Sequence, residues 1–445
     1  MNLLLASGDI PDRFCPRMNS IYKMVEQDVM AELSEELLRK FMPNKIAAME
    51  ALEPKIIEYS KIDGKLYGLR AYEANYRYRS TMVWNMQWLR NLGYDKIPET
   101  LDEAEEVFYR FANDDPDKDG VKDTYAFSRE GLFAIFGSYG IFPGGNKFMP
   151  FDHWVERDGK LVNSVTTPEM KIVLAKLAKW YKDGLIDPEW LTGEHRGGAN
   201  SVSYSFIEGR IGMTNMGTYY HWMPAYAEGT YQGMNYTELY KIYGEETKNI
   251  LGFSGALKVP GYNSALPSNN EISNVMESFG KHLEKEPDKL GKLLQICEYF
   301  SDKENVVTVY KGIEGKHWKV NDQGIVVSIG KYADVAEQAK IGAHCTFTHH
   351  IDPDVLHTKI NVGYAEFAKS IGCDKDILRN QLKMPLKSAS KYQSELDRLR
   401  DEMIVAIVTG DKPVDYFDEF VKIYNEAGGD ELTKEANEWY QSIKK

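Results

Sequence analysis

Signatures of catalysis are scarce in this chain of 445 residues. It contains no G-x-S-x-G, no H-E-x-x-H, no P-loop and no G-x-G-x-x-G following a strand, so the common nucleophile, zinc-peptidase and nucleotide chemistries find no support. Its four cysteines, Cys15, Cys297, Cys345 and Cys373, are far apart and form no C-x-x-C pair. That spacing excludes a zinc ribbon, a thioredoxin motif and a disulfide framework, and leaves each as a free thiol. No run of 18 apolar residues exists, which excludes a spanning helix. Basic residues are also in deficit: 54 Lys and Arg against 67 Asp and Glu give a net charge of -13, which argues against nucleic acid or an anionic membrane as partner. The pair His349-His350 is read as accidental, because adjacent residues on a helix or strand face different ways. Carboxylate pairs for glycoside hydrolysis stay open, since 67 acids offer many and their separation in space is not legible.

What is present is an ordinary globular composition, 43% hydrophobic and 27% charged, in a chain longer than one core usually supports. Two lobes are therefore expected. The 28 tyrosines and 8 tryptophans suit stacking on sugars or other flat ligands. Leu3 to Ala6 reads as a strand and not as a signal peptide, having no basic start. Thr100-Leu-Asp-Glu103 is a capping box opening a helix with Leu101, Ala104, Val107, Phe108 and Phe111 on its apolar face. Thr167-Pro168 opens a second helix, ended at Gly184. Asp63-Gly64 and Asp158-Gly159 are hairpin turns. Trp84 to Gly93 reads as a short helix, Phe206 to Gly209 as a strand, 272–301 as helices and 374–445 as mostly helical. Mixed strands and helices throughout argue an α/β fold.

The sharpest local pattern is Asp115-Pro-Asp-Lys-Asp-Gly-Val-Lys-Asp-Thr-Tyr125. Asp115, Asp117, Asp119 and Asp123 stand at positions 1, 3, 5 and 9 of an EF-hand loop, with Gly120 at position 6 and Val121 at the backbone-carbonyl position. Position 12 is Ala126 in place of the bidentate Glu. The pattern predicts a structural Ca2+ site, with Asp123 or Thr124 completing the shell, and not a calcium sensor.

Several segments together resemble the family 1 extracellular solute-binding proteins of bacterial ABC sugar importers. They are Ala6-Ser-Gly-Asp-Ile-Pro-Asp12, Asp63-Gly-Lys-Leu-Tyr-Gly68, Trp88-Leu-Arg-Asn-Leu-Gly93 with Pro98-Glu-Thr-Leu101, Asp115 to Tyr125, Lys182-Asp-Gly-Leu-Ile-Asp-Pro188, Gly312-Ile-Glu-Gly-Lys-His-Trp318, and Gly428-Gly429 with Glu435-Ala-Asn-Glu-Trp-Tyr440. Singly they are weak, but in this order they are specific. The chain departs from the family pattern at Arg70, where Pro is usual, and at Asn85-Met-Gln-Trp-Leu89. The resemblance implies a periplasmic-binding-protein-like fold, two α/β lobes joined by hinge strands and closing on ligand. It implies lobe 1 in 1–72 and 256–345, lobe 2 in 73–255 with the calcium loop at 115–125, and a mostly helical part of lobe 2 in 346–445. It further implies a lipoprotein signal and a first strand and helix ahead of Ala6, an extracellular location, a monomer, and ABC permease subunits as partners.

Near the expected lobe crossings, Trp84, Tyr139, Tyr219, Trp222 and Trp318 are candidates to stack on sugar rings, with His221 beside them. Arg70, Arg77 and Arg79, with Tyr72 among them, form a basic group on an acidic chain. It suits carboxylate or sulfate groups and predicts an acidic, uronate-containing oligosaccharide as ligand. Two other readings are carried: an enzyme acting on oligosaccharides, a glycosidase or lyase, and a binder of peptides or other small solutes.

Overall fold

The structure, a computed structural model, describes residues 9–72, 80–144, 152–192, 202–268, 272–343, 355–373 and 375–444. Two three-stranded antiparallel sheets anchor it. In one, Ile272–Phe279 lies between Arg13–Phe14 and Gly68–Tyr72. In the other, Met82–Asn85 lies between Met213–Thr214 and Leu251–Ser254. The chain thus leaves the first sheet at Tyr72 to enter the second at Met82. It leaves the second at Ser254 and re-enters the first at Ile272.

Each sheet carries its own core. The larger core gathers Met82, Trp84, the apolar face of Leu101–Asn113, the helix Pro168–Lys182 and the C-terminal helices Ala389–Val408, Tyr416–Tyr424 and Asp430–Ile443. The smaller gathers Leu38, Ile46, Leu66, Leu69, Ile272, Phe279 and Leu294. A compact module around Val306, Trp318, Val326 and Leu356 forms a third centre. Among the described residues no helix is long and apolar enough to cross a membrane.

The helix Leu101–Asn113 starts where its capping box places it. Thr100 Oγ1 accepts from Glu103 N while Glu103 Oε2 accepts from Thr100 N. Three local expectations are corrected. Ile272–Phe279 is a strand: the spacing of Ile272, Met276 and Phe279 is helical, but the central place between two strands decides for the sheet and buries both faces. Tyr204–Ile207 is one helical turn and not a strand. Trp84 lies in a strand that precedes the helix Met86–Asn91, whose N-cap is the Asn85 side chain. Leu3 to Ala6 lies outside the described residues.

The smaller core contains a buried charge cluster. Glu277, on the central strand, accepts from Arg13 Nε at 2.8 Å, from Lys45 Nζ at 2.6 Å and from Cys297 Sγ at 3.3 Å. Burial alone would raise its pKa, but Lys45 and Arg13 outweigh that and hold the carboxylate down at about 2. The Cys297 thiol is pushed up to about 12 by burial and by the Glu277 charge, so it acts as a neutral donor.

Candidate functional site

The acidic loop follows directly from the end of the Leu101–Asn113 helix. Asp115, at φ 48°, Lys118, at φ 62°, and Gly120, at φ 81°, wind it tightly. Gly120 takes the left-handed conformation at no steric cost and donates its N–H to Asp115 Oδ2 at 3.1 Å. Carboxylate oxygens of Asp115, Asp117 and Asp119 come within 4.8 Å of one another. Asp115 Oδ1 and Asp117 Oδ1 are both buried with no hydrogen-bond donor. Desolvation and the neighbouring carboxylates of Asp115 and Asp119 raise the Asp117 pKa. Two unsatisfied buried oxygens in a mutually repelling triad are what a hard divalent cation would satisfy, so the residues fit calcium. Thr124 is used otherwise: it is buried and its hydroxyl donates to Phe111 O at 2.8 Å, closing the preceding helix. Asp123 is exposed and outside the triad, and the Val121 side chain faces solvent.

Packing accounts for most of the ligand candidates. Trp84 is fully buried, stacked on Phe108 at 5.9 Å with Nε1 donating to Ser254 Oγ. Trp222 donates Nε1 to Met216 O and packs edge-on to Phe206. Trp318 donates Nε1 to Gly312 O at 2.7 Å, which ties together the Gly312–Trp318 segment. Tyr219 and His221 are buried beside them, and His221 Nδ1 accepts from Thr218 N. These aromatic side chains offer no open face to a ligand in this conformation.

Arg70 departs furthest from its expected role. It is buried, and Nε and Nη2 donate to Ser273 O at 3.1 and 3.0 Å while Nη1 donates to Lys383 O. Burial without a countercharge lowers its pKa to about 10. It clamps the backbone of the neighbouring strand, at Ser273, to that of Lys383 instead of presenting a cation to a ligand. Tyr72 ends its strand. Arg77, Arg79 and the pair His349-His350 lie outside the described residues.

Two groups do present surface. The first is a tyrosine cluster that sequence reading passed over. Tyr220 stacks on Tyr364 at 4.7 Å and 20°, and Tyr231 meets Tyr364 at 5.6 Å. Tyr226 and Tyr231 are exposed by 51% and 39%, so ring faces remain for a ligand. The cluster sits at a seam: a Cβ on Gly229 would lie 3.2 Å from Val327 Cβ of the Trp318 module. Tyr219 to Trp222 form a single turn, so only one of its aromatics points outward, and Tyr220 is the most exposed of the four. The second is an open pocket of about 700 Å³ that includes Tyr139, Tyr262, Tyr440, Arg157, Asn263 and Gln381 in its walls.

The two-lobed architecture is that of solved extracellular solute-binding proteins, and at 17% and 19% identity this likeness is one of fold. No protein-family model matches it. The chain is 24% identical to Lipoprotein LipO of Bacillus subtilis over 100% of its length and 84% of the relative's. It is 23% identical to the polygalacturonan/rhamnogalacturonan-binding protein YtcQ of the same organism, covering 100% and 83%. The crystal structure of alginate-binding protein AlgQ2 without calcium ion superposes with a TM-score of 0.71 at 17% identity, over 99% of this chain and 88% of that one.

Proposed function

We propose that this protein is the substrate-binding component of an ABC importer, capturing an oligosaccharide between two lobes and delivering it to the permease without chemical change. The observation that carries the reading is the cluster of Tyr220, Tyr226, Tyr231 and Tyr364, which packs on Tyr219, Met223 and Ala368 beside the Trp318 module. The exposed rings of Tyr226 and Tyr231, with the half-buried Tyr220 against Tyr231 and Tyr364, match the C–H faces of pyranose rings. Ligand bridging the seam stabilises the closed arrangement by its contacts to both sides. We place residues 9–72 and 272–343 in one lobe and 80–257 with the C-terminal helices in the other, with the second crossing between Leu257 and Ile272; the shared core of 31–69 with 272–297 supports this division. A cell-surface lipoprotein acting as a monomer fits this role.

The ligand we favour contains uronate. Alginate and polygalacturonan, named for two similar proteins, are both uronate polymers. Isothermal titration should show tighter binding of trigalacturonate than of an uncharged trisaccharide, with affinity falling as salt is raised. Tyr231→Ala should weaken binding about tenfold, the order of one aromatic contact. Preference for the neutral sugar would remove the acidic assignment, and turnover of a labelled oligosaccharide would replace binder by glycosidase or lyase.

The acidic loop is assigned to structural calcium, held by Asp115, Asp117 and Asp119. When bound, the ion supplies charge neutralisation and cross-links the loop, and it takes no part in holding sugar.

A further inference from the structure

The pocket beside Tyr139 lies apart from the tyrosine cluster in the chain and in composition. Two of the segments that line it, at Tyr139-Gly140 and at Gly261–Asn263, are stapled together by the residues next to them. Ala265 N donates to Gly137 O at 2.8 Å, and Ser264 Oγ donates to Ser138 O at 2.7 Å. Gly140, at φ 70°, approaches so closely that a Cβ there would fall 2.6 Å from Asn263 O. That junction fixes Tyr139 and Tyr262 edge-to-face, with ring centroids 4.8 Å apart, the second ring 36% exposed. Arg157, also in the lining, is locked by Glu169 through two 3.0 Å contacts. Asn263, Gln381 and Tyr440 add amide and hydroxyl groups.

The volume falls within the about 300–1,000 Å³ of small-molecule sites. The lining differs from an apolar ligand pocket: an aromatic edge stands beside amides and a pre-oriented guanidinium, groups that pair with vicinal hydroxyls. Its charges are Arg157 and Arg379 against Glu156, Asp158 and Glu169, a slight excess of acid, so a carboxylated sugar gains nothing there.

From this geometry we infer that the pocket is a second carbohydrate site, taking an uncharged pyranose unit and built by the larger lobe with the segment that includes Leu378 and Gln381. It rests on the carbohydrate reading above only for the identity of the other site. Because no residue of the smaller core lines it, it binds whether the lobes are open or closed. An oligosaccharide with charged and neutral stretches is then held at two points, which raises its effective concentration at the seam.

Saturation-transfer NMR on the full chain would use maltotriose, cellotriose and galactotriose as neutral probes, with and without saturating trigalacturonate. The expected result is that at least one neutral probe binds saturably and is not displaced by trigalacturonate. Tyr262→Ala should weaken it about tenfold or more, and Arg157→Gln should weaken it several-fold, both with unchanged melting temperature. The idea is overturned if no neutral probe binds, if trigalacturonate displaces the probe, or if both variants bind it as the parent does. Failure of trigalacturonate itself to bind would count against the seam site alone.

Discussion

Replacing Glu277 by Gln is expected to lower folding stability by about 3–5 kcal/mol, because it leaves Arg13 and Lys45 as uncompensated charges in a buried site. The side chains of Glu277 and Lys45 are 4% and 2% exposed, so water cannot replace the lost partner. Urea unfolding at neutral pH measures the effect. A control separates charge from packing: Glu277→Leu with Arg13→Met and Lys45→Met removes the whole cluster and should recover most of the loss. A neutral result for Glu277→Gln alone would mean that the cluster is not ionised as described. The pH dependence follows from the sign of the shift. The carboxylate titrates at about 2 in the folded protein and at about 4.3 when unfolded, so the folded state binds the proton less well. Its contribution, of the order of 3 kcal/mol, is present above about pH 4.5 and is lost as pH falls toward 2. The gap between the parent and Glu277→Gln should therefore narrow in acid.

Saturating calcium is expected to raise the melting temperature by several degrees and to change oligosaccharide affinity by less than about threefold. Binding to the folded state alone stabilises by about 2.7 kcal/mol at a free concentration one hundred times the dissociation constant. Asp117→Asn should abolish most of the calcium response. The proton competes with the metal here. Desolvation, Asp115 and Asp119 raise the Asp117 pKa, so in the metal-free protein the contribution of this group is greater in acid and is lost as pH rises through that value. With calcium present the sense reverses, and stabilisation is full at neutral pH and fades as the loop protonates. Differential scanning fluorimetry with calcium and with chelator, across pH, checks both signs. If chelation abolished sugar binding without moving the melting temperature, the loop would belong to the ligand site.

The parts of this structure legible in the sequence are those fixed by local rules. The capping box at Thr100 and Glu103, the hairpin turn at Asp158-Gly159, and the spacing of Asp115, Asp117 and Asp119 each depend on residues within a few positions of one another. The errors arise where distant chain decides. Ile272–Phe279 is a strand because Arg13–Phe14 and Gly68–Tyr72 flank it, from 200 or more residues away in sequence. Arg70 reads as a surface cation until Ser273 and Lys383 supply the carbonyls that bury it. Trp84 and Trp222 read as stacking platforms, yet Phe108 and Phe206 cover them. The reverse holds for Tyr220, Tyr231 and Tyr364. No short motif joins them, and only tertiary packing brings 220 and 231 against 364. Large aromatics are poor site markers in sequence because core and cleft compete for the same residues.

The C-terminal helix Asp430–Ile443 has a thermodynamic consequence. Trp439 packs against both the larger and the smaller core, 6.3 Å from Tyr59 of the latter, and Lys55 Nζ donates to Ile443 O at the helix end. Neither core can melt without stripping cover from the other. Partial burial of this aromatic contributes about 1.5 kcal/mol, enough to penalise a half-unfolded species about tenfold. A calorimeter should therefore record a single cooperative endotherm despite two separate sheets, and truncating the chain before Trp439 should split that endotherm in two.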